Sequence, residues 1–556
     1  MARRHEPLIR TVGATIMLTQ TEHRTSRMAG LAALVCIGLA LAVPVAVLLS
    51  HGGANELSSS QGGYLLRITR FTLLQAGLST VLSLFFAVPL ARALARRPAF
   101  PGRRWLINLF AVPLGLPPLV AALGLIEIWG RNGVANKGLS LLGVETPFSI
   151  YGLSGILIAH VFFNLPLAVR LILPGLERLP PEYWKTAANL GMGGFSLFRL
   201  VEWPAMRRSA ASAAGLVFML CATSFTLVLV LGGGPAATTL EVAIYQALRF
   251  DFNPGRAVLL SLIQVGMTLI VMLALKLMSV PTEAGDTKGG AASRPDVHSG
   301  MSALPDAVLI GLGGLFVSAP MAAVIVSGLS ADLSRLLTDT LFWRAASTSL
   351  AIGIAAAALS VLLAFLLVRA RYSASNQPGS PALGLLAGLS GAAGSLTLLV
   401  PPVVLGAGWF LMLGGGTGQL LAPLMVIVLI NALMALPFVM RVLEPAHLST
   451  MERNGRLAVA LGVVGTNRLR QIDLPAMLQA LATAFVFAVA LSLGDLGAIA
   501  LFGSDRIITL PWLLYQKLGS YRTDDAAGLA LLLGGMTMGL MILAERLGNR
   551  NGNAHQ

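Results

Sequence analysis

A chain of 556 residues is long enough for two or more ordinary domains. Yet 56% of it is hydrophobic, only 11% is charged and mean hydropathy is +0.79; soluble domains carry about 25% charge, so that class is excluded. The net charge of +15 does not call for nucleic acid, because the basic residues form short clusters between apolar runs and never a tract interleaved with aromatics.

A basic tail over 1–28 precedes the first apolar segment, Ala29 to Ser50. A membrane helix needs roughly 20 apolar residues. Stretches free of Asp, Glu, Lys and Arg supply them at 28–55, 71–91, 105–126, 146–169, 209–240 and 257–275. The small residues Ala42 to Ala46 invite a cleaved-leader reading, but that segment is long and starts far into the chain, so it is read as a retained span. A stretch rich in Gly, Ser, Ala and Asp over 281–304 reads as a linker. Further spans follow at 307–331 and 345–368. The uncharged run from Tyr372 to Met440 is divided into two by Gly-Gly-Gly-Thr-Gly at 414–418, and 474–494 and 526–544 complete the set before a short tail at 548–556. The expected fold is an all-α polytopic membrane protein of about twelve transmembrane helices, with modules at 29–280 and 305–547.

With the N-terminus placed in the cytoplasm, 28 of the 39 Lys and Arg fall on cytoplasmic segments and 11 on external ones. That matches the positive-inside rule, puts both termini and the linker in the cytoplasm, and accounts for the excess charge. Cys36 and Cys221 sit in apolar runs and read as lipid- or bundle-facing residues rather than a disulfide or metal pair.

The two halves repeat. Residues 190–206, LGMGGFSLFRLVEWPAM, align with 461–477, LGVVGTNRLRQIDLPAM, seven of 17 identical at an offset of 271. The same offset pairs Pro166 with Pro437 and Arg170 with Arg441. TLEVAIYQAL at 239–248 pairs with TLPWLLYQKL at 509–518, and Pro117, Pro118 and Gly124 pair with Pro401, Pro402 and Gly408. Each half has an even number of spans, so the repeats are parallel. In both halves the repeated loop lies between the fourth and fifth spans. The apolar spacing of Leu190, Phe195, Phe198 and Val201 predicts a helix there, Gly191 and Gly462 a turn, and Pro204 and Pro475 the first turn of the next span.

These residues resemble the EAA loop of ABC importer permeases: Glu-Ala-Ala, then Gly, a β-branched aliphatic and Pro at set intervals. One copy aligns as Lys185, Thr186, Ala187, Gly191 and Pro204, the other as Arg456, Leu457, Ala458, Gly462 and Pro475. Both place another residue, a cation, where the family has Glu. The resemblance implies the binding-protein-dependent (MetI-like) permease fold and docking of each loop on a separate, homodimeric ABC ATPase. No GxxxxGK[ST] phosphate loop occurs in the chain, the nearest candidate being Gly285 to Gly289 in the linker. ATP is therefore expected to be used by the partner, with no cofactor or metal bound by this chain and no catalytic residue in it. Blocks at 151–171, 231–248, 492–503 and 510–522 are similar to the fused two-module permeases for thiamine and thiamine pyrophosphate. This implies a bacterial inner-membrane protein served by a periplasmic thiamine-binding protein. Fused ferric-iron permeases share the plan and are the rival. A secondary transporter of two six-helix halves would need several buried coupling acids, and only Asp495 is a good candidate.

Asp495, between Gly494 and Gly497, is an intramembrane acid and a candidate for the translocation pathway, either drawing a cation or supporting a gate. The alternative is a hydrated carboxylate near the outer end, paired with Arg506. Pro117, Pro118, Pro401 and Pro402 lie inside predicted spans, where proline bends a helix and freed backbone can line a cavity. Glu127 reads as interfacial, and His160 and Asn164 as interhelical hydrogen-bonding groups. Tyr245 and Tyr515 suggest short interfacial helices on the outer side. By the resemblance these outer loops would meet the binding protein, with Arg249, Arg256, Lys517 and Arg522 offering charge.

Overall fold

The computed structural model describes residues 18–51, 59–143, 148–278, 303–377, 380–414 and 421–549. Most of the expected linker, the Gly-rich divider beyond Gly414 and the outer parts of both tails lie outside the described residues. Almost everything described is helical, because in hydrocarbon each backbone N–H and C=O must be satisfied within its own segment.

The first module runs α1 (Gln20–His51), α2 (Ser59–Arg96), α3 (Arg103–Leu109), α4 (Val112–Gly115), α5 (Pro118–Trp129), α6 (Val134–Leu141) and α7 (Leu153–Glu177). It continues with α8 (Pro181–Asn189), α9 (Gly194–Leu197), α10 (Trp203–Ala222), α11 (Thr226–Leu231), α12 (Leu240–Arg249) and α13 (Pro254–Met278). The second runs α14 (Ala303–Ser330), α15 (Leu333–Thr338), α16 (Thr340–Ser375), α17 (Pro381–Thr397), α18 (Pro402–Met412) and α19 (Leu421–Ala460). It ends with α20 (Gly465–Arg468), α21 (Leu474–Leu493), α22 (Gly497–Phe502), α23 (Leu510–Gly519) and α24 (Thr523–Asn549). The first apolar segment thus belongs to a helix that starts at Gln20, inside the expected tail.

Among the described residues, nine helices are long and apolar enough to cross a membrane, and up to 11 if two bent pairs each count as one span. The bent pairs correct the sequence reading. The third and ninth spans are not helices with proline kinks; they fold back at 113° and 88°. Pro117 and Pro401 are extended, since a residue preceding proline is pushed out of the helical region, and Pro118 and Pro402 each start a new helix. α10 completes the repeat as the counterpart of α21. Arg207 and Arg208 make its first turns more polar than those of α21, which has Leu478 and Gln479 there.

The first helix of each module crosses to the other. α1 packs on α16 and α18, and α14 packs on α5 and α2. At each crossing a glycine receives the carbonyl of a proline. A Cβ on Gly124 would sit 2.3 Å from the Pro320 oxygen, and one on Gly408 would sit 2.4 Å from the Pro44 oxygen. Inside each bundle a hydroxyl on the second helix, Thr72 or Ser349, accepts the first N–H of α12 (Leu240, 3.0 Å) or of α23 (Leu510, 2.8 Å). The duplication is therefore visible in contacts as well as in sequence.

Candidate functional site

The repeated loops project together at one end of the bundle. In each, a helix (the short α8 or the long α19) ends in a left-handed glycine, Gly191 or Gly462, both at φ +63°. Met192 N–H donates to the Ala187 carbonyl (3.0 Å) and Val463 N–H to the Ala458 carbonyl (3.0 Å), closing the same C-terminal turn in both halves. The predicted turn glycines are thus where the geometry requires them. Ala187 and Ala458 are buried under this turn, while Lys185, Thr186, Arg456 and Leu457 point outward. Leu190 is 72% exposed and its counterpart Leu461 63%, with Phe195 and Val464 beside them. The helix expected from the spacing of Leu190, Phe195, Phe198 and Val201 is interrupted: Leu190 lies in the turn after α8, and the helix resumes at Gly194 with Leu197 buried. The loop tips carry bare apolar surface of the kind that marks an interaction site.

The loops differ in how they leave the membrane. Pro180 and Pro181 stop α7 before α8 begins, whereas the second copy has Met451 and Glu452 there and α19 runs unbroken for 40 residues. A further restraint comes from the N-terminal helix. Glu22 accepts the N–H of Gly465 (2.7 Å) and that of Thr19 (2.6 Å), so α1 holds the second loop from across the module boundary. Beyond α9 and α20 each loop passes through a π-turn, Phe198–Glu202 or Leu469–Asp473, directly into α10 or α21. Pro204 and Pro475 lie in the first turn of those helices, as their spacing predicted.

At the centre of the molecule the pathway candidates come together. α21 breaks at Gly494 and Asp495 before α22, as α10 breaks at Thr223 and Ser224 before α11. A Cβ on Gly494 would lie 3.3 Å from Pro117 of the first module, and one on Gly497 would lie 3.5 Å from Pro402 of the second. Asp495 therefore sits beside both proline elbows. Its oxygens accept the N–H groups of Gly497 (3.2 Å) and Ala498 (3.3 Å), capping α22. Among the described residues no ion pair joins Asp495 to the alternative partner, Arg506, whose backbone carbonyl accepts a hydrogen bond from Arg344 (3.3 Å). His160 bonds Ser79 (2.9 Å) and Asn164 donates to the Cys221 sulfur (3.2 Å), the interhelical roles expected of them. Cys36 is exposed on the bundle surface and Cys221 is buried within it.

The opposite end departs from expectation. Tyr245 is 2% exposed and packs edge-on against Phe225 and Phe250, so it is a core residue and not part of an outer surface. Arg249 is turned inward to the Gly503 carbonyl of the other module (3.0 Å). Tyr515 is half-buried, and Lys517 and Arg522 both face Asp525, at 3.6 and 2.8 Å. Arg256 pairs with Asp251 (2.8 Å) and covers the Tyr64 ring. Among the side chains that do project are Phe252 (80% exposed) and Tyr521 (92%), each left-handed at φ 49° and 58° at the turn after α12 or α23. Nothing in their residue type marked them, because strain at a single turn has no periodic signal.

A family described as "Binding-protein-dependent transport system inner membrane component" matches residues 83–280. The thiamine transport system permease protein ThiP of Brucella abortus (strain 2308) is 50% identical over 496 residues, covering 89% of this chain and 90% of that protein. The protein of that name from Salmonella typhimurium (strain LT2) is 42% identical over 523 residues, 94% and 96% of the two chains. The one from Escherichia coli (strain K12) is 43% identical over 495 residues, 88% and 90% of the two chains. The chain belongs to the thiamine transport system permease family. It is a multi-pass inner-membrane transporter subunit of the binding-protein-dependent class, made of two fused modules, and not an enzyme. The paired loops and the elbows are thus features of a permease.

Proposed function

We propose that this chain is the transmembrane subunit of an ATP-driven importer for thiamine and its pyrophosphate. Its loop-bearing end, with both termini, faces the cytoplasm and seats a homodimeric ATPase, and its opposite end receives a substrate-loaded periplasmic binding protein. The observation that carries this reading is the matched pair of loops. Two tips of the same backbone geometry, each bearing an exposed apolar residue, Leu190 and Leu461, fit a partner with two equivalent clefts. The thiamine assignment rests on the relatives named above. The boundaries near 281–304 make each loop part of one module, so one closing ATPase dimer would act on both halves at once.

Between the halves, Asp495 and the elbows at Pro117, Pro118, Pro401 and Pro402 form the gate in this reading. The carboxylate holds α22 beside both elbows, so a shift of either module changes the packing there. On the outer side Phe252 and Tyr521 are the contact points for the binding protein's lobes, with Lys517 and Arg522 behind Tyr521. Tyr245 and Arg249 are inside the permease and serve its own packing.

The test is reconstitution of the full chain with its ATPase and binding protein in liposomes, with uptake and ATP hydrolysis followed together. Thiamine and thiamine pyrophosphate should stimulate both. Stimulation by ferric ion alone would overturn the substrate, and uptake that persists when hydrolysis is blocked would overturn the mechanism.

A further inference from the structure

Each repeated loop enters its membrane helix through a π-turn, and both π-turns end on a buried acid. Glu202 is fully buried and Asp473 nearly so. Trp203 N–H donates to the Phe198 carbonyl, and Leu474 N–H to the Leu469 carbonyl, five residues back in each case. The cause is local. Pro204 and Pro475 have no N–H, and a regular turn would drive the ring into the carbonyl four residues earlier; a wider turn avoids this. Such a turn is loose by itself, because one hydrogen bond serves an extra residue.

Arginines close it. Arg92, near the end of α2, lies 2.5 Å from the Glu202 carboxylate, donates to the Gly194 carbonyl (3.1 Å) and covers the Phe198 ring (5.3 Å). One guanidinium thus touches both ends of the segment that joins the loop to α10. In the second module Asp473 faces Arg468 of α20 at 3.5 Å. Arg369 is the counterpart of Arg92 at an offset of 277, the same offset that relates Thr72 to Ser349. An acid beside the π-turn and an arginine on the second helix therefore recur in both halves.

We propose that Glu202 and Asp473 are positioning residues for energy coupling. Glu202 fixes its π-turn to the second helix of its module through Arg92, and Asp473 holds its π-turn to α20 through Arg468, so that displacement of the loop moves the transmembrane helices and not the loop alone. This rests on the reading that the loops seat the ATPase. A buried carboxylate whose charge is removed leaves its arginine without a counter-ion. The joint then becomes a hinge.

The experiment uses the complete complex in liposomes and measures co-purification of the ATPase and ATP hydrolysed per thiamine transported. In Glu202→Gln with Asp473→Asn combined, the ATPase should remain bound while the ATP cost per substrate rises about tenfold. Glu202→Asp, which keeps the charge, should return most of the coupling. An unchanged ratio in the double variant, loss of the ATPase from it, or a Glu202→Asp defect equal to that of Glu202→Gln would each overturn the proposal. If the unaltered complex shows no hydrolysis in response to loaded binding protein, the coupling reading itself fails and takes this inference with it.

Discussion

The two glycine crossings give the most direct test of how the modules interlock. In Gly124→Ala the new methyl would start 2.3 Å from the Pro320 carbonyl oxygen and 2.9 Å from Val324 Cγ2. An ordinary carbon–oxygen contact needs about 3.3 Å, so α5 and α14 must separate by about 1 Å. The obstacle is backbone, which cannot rotate aside as a side chain would. Overpacking costs about 1–3 kcal/mol, and this case belongs at the upper end. Gly408→Ala against the Pro44 oxygen, at 2.4 Å, should cost the same. The sites lie at different crossings, so the two effects should add to within about 0.5 kcal/mol. Thermal unfolding of the detergent-solubilised full chain measures this, with Gly38→Ala and Gly266→Ala as controls, since nothing lies within 4 Å of either position. Those controls should be neutral or stabilising by up to about 1 kcal/mol. If Gly124→Ala unfolds at the same temperature as Gly266→Ala, the crossing of first helices between modules is wrong.

Gly462→Ala and Gly191→Ala meet no neighbour, yet each forces a left-handed alanine, costing about 1–2 kcal/mol. Uptake in reconstituted liposomes should fall in both, while Gly193→Ala, whose φ is −71°, should leave it unchanged. Phe252→Ala with Tyr521→Ala should leave basal ATP hydrolysis intact and reduce the stimulation by binding protein about tenfold. Asp525, buried and ringed by Arg335, Lys517 and Arg522, holds the opposite end of α24. Asp525→Asn should lower stability by about 1–2 kcal/mol after allowance for its half-exposed arginine partners, read as a drop in the thermal midpoint.

Much of the repeated loop was legible beforehand because glycine and proline act locally. A left-handed turn at Gly191 and a helix entry at Pro204 follow from the residues themselves, and duplication supplied an internal check at Gly462 and Pro475. The outer surface was not legible. Tyr245 and Arg249 looked like interface residues by type, but Phe225 and Phe250 bury the first, and the Gly503 carbonyl of the other module engages the second. The acids at 202 and 473 stood in the aligned motif, and only the arrival of Arg92 beside Glu202 and of Arg468 beside Asp473 gives them a role.

Composition, the spacing of charges and the offset repeat suffice for a membrane protein of two parallel modules with paired loops. Each of these rests on interactions within one helix or with the solvent, whether lipid or water, and such interactions are written in order along the chain. Folding decided the features that arise where distant segments meet. The proline pairs became elbows flanking Asp495, and α1 and α14 crossed to the opposite module. Two glycines admitted backbone from the other half, and Glu22 reached the second loop across hundreds of residues. Those outcomes depend on which surfaces fit each other at van der Waals distance, and hydrophobic periodicity carries no record of that.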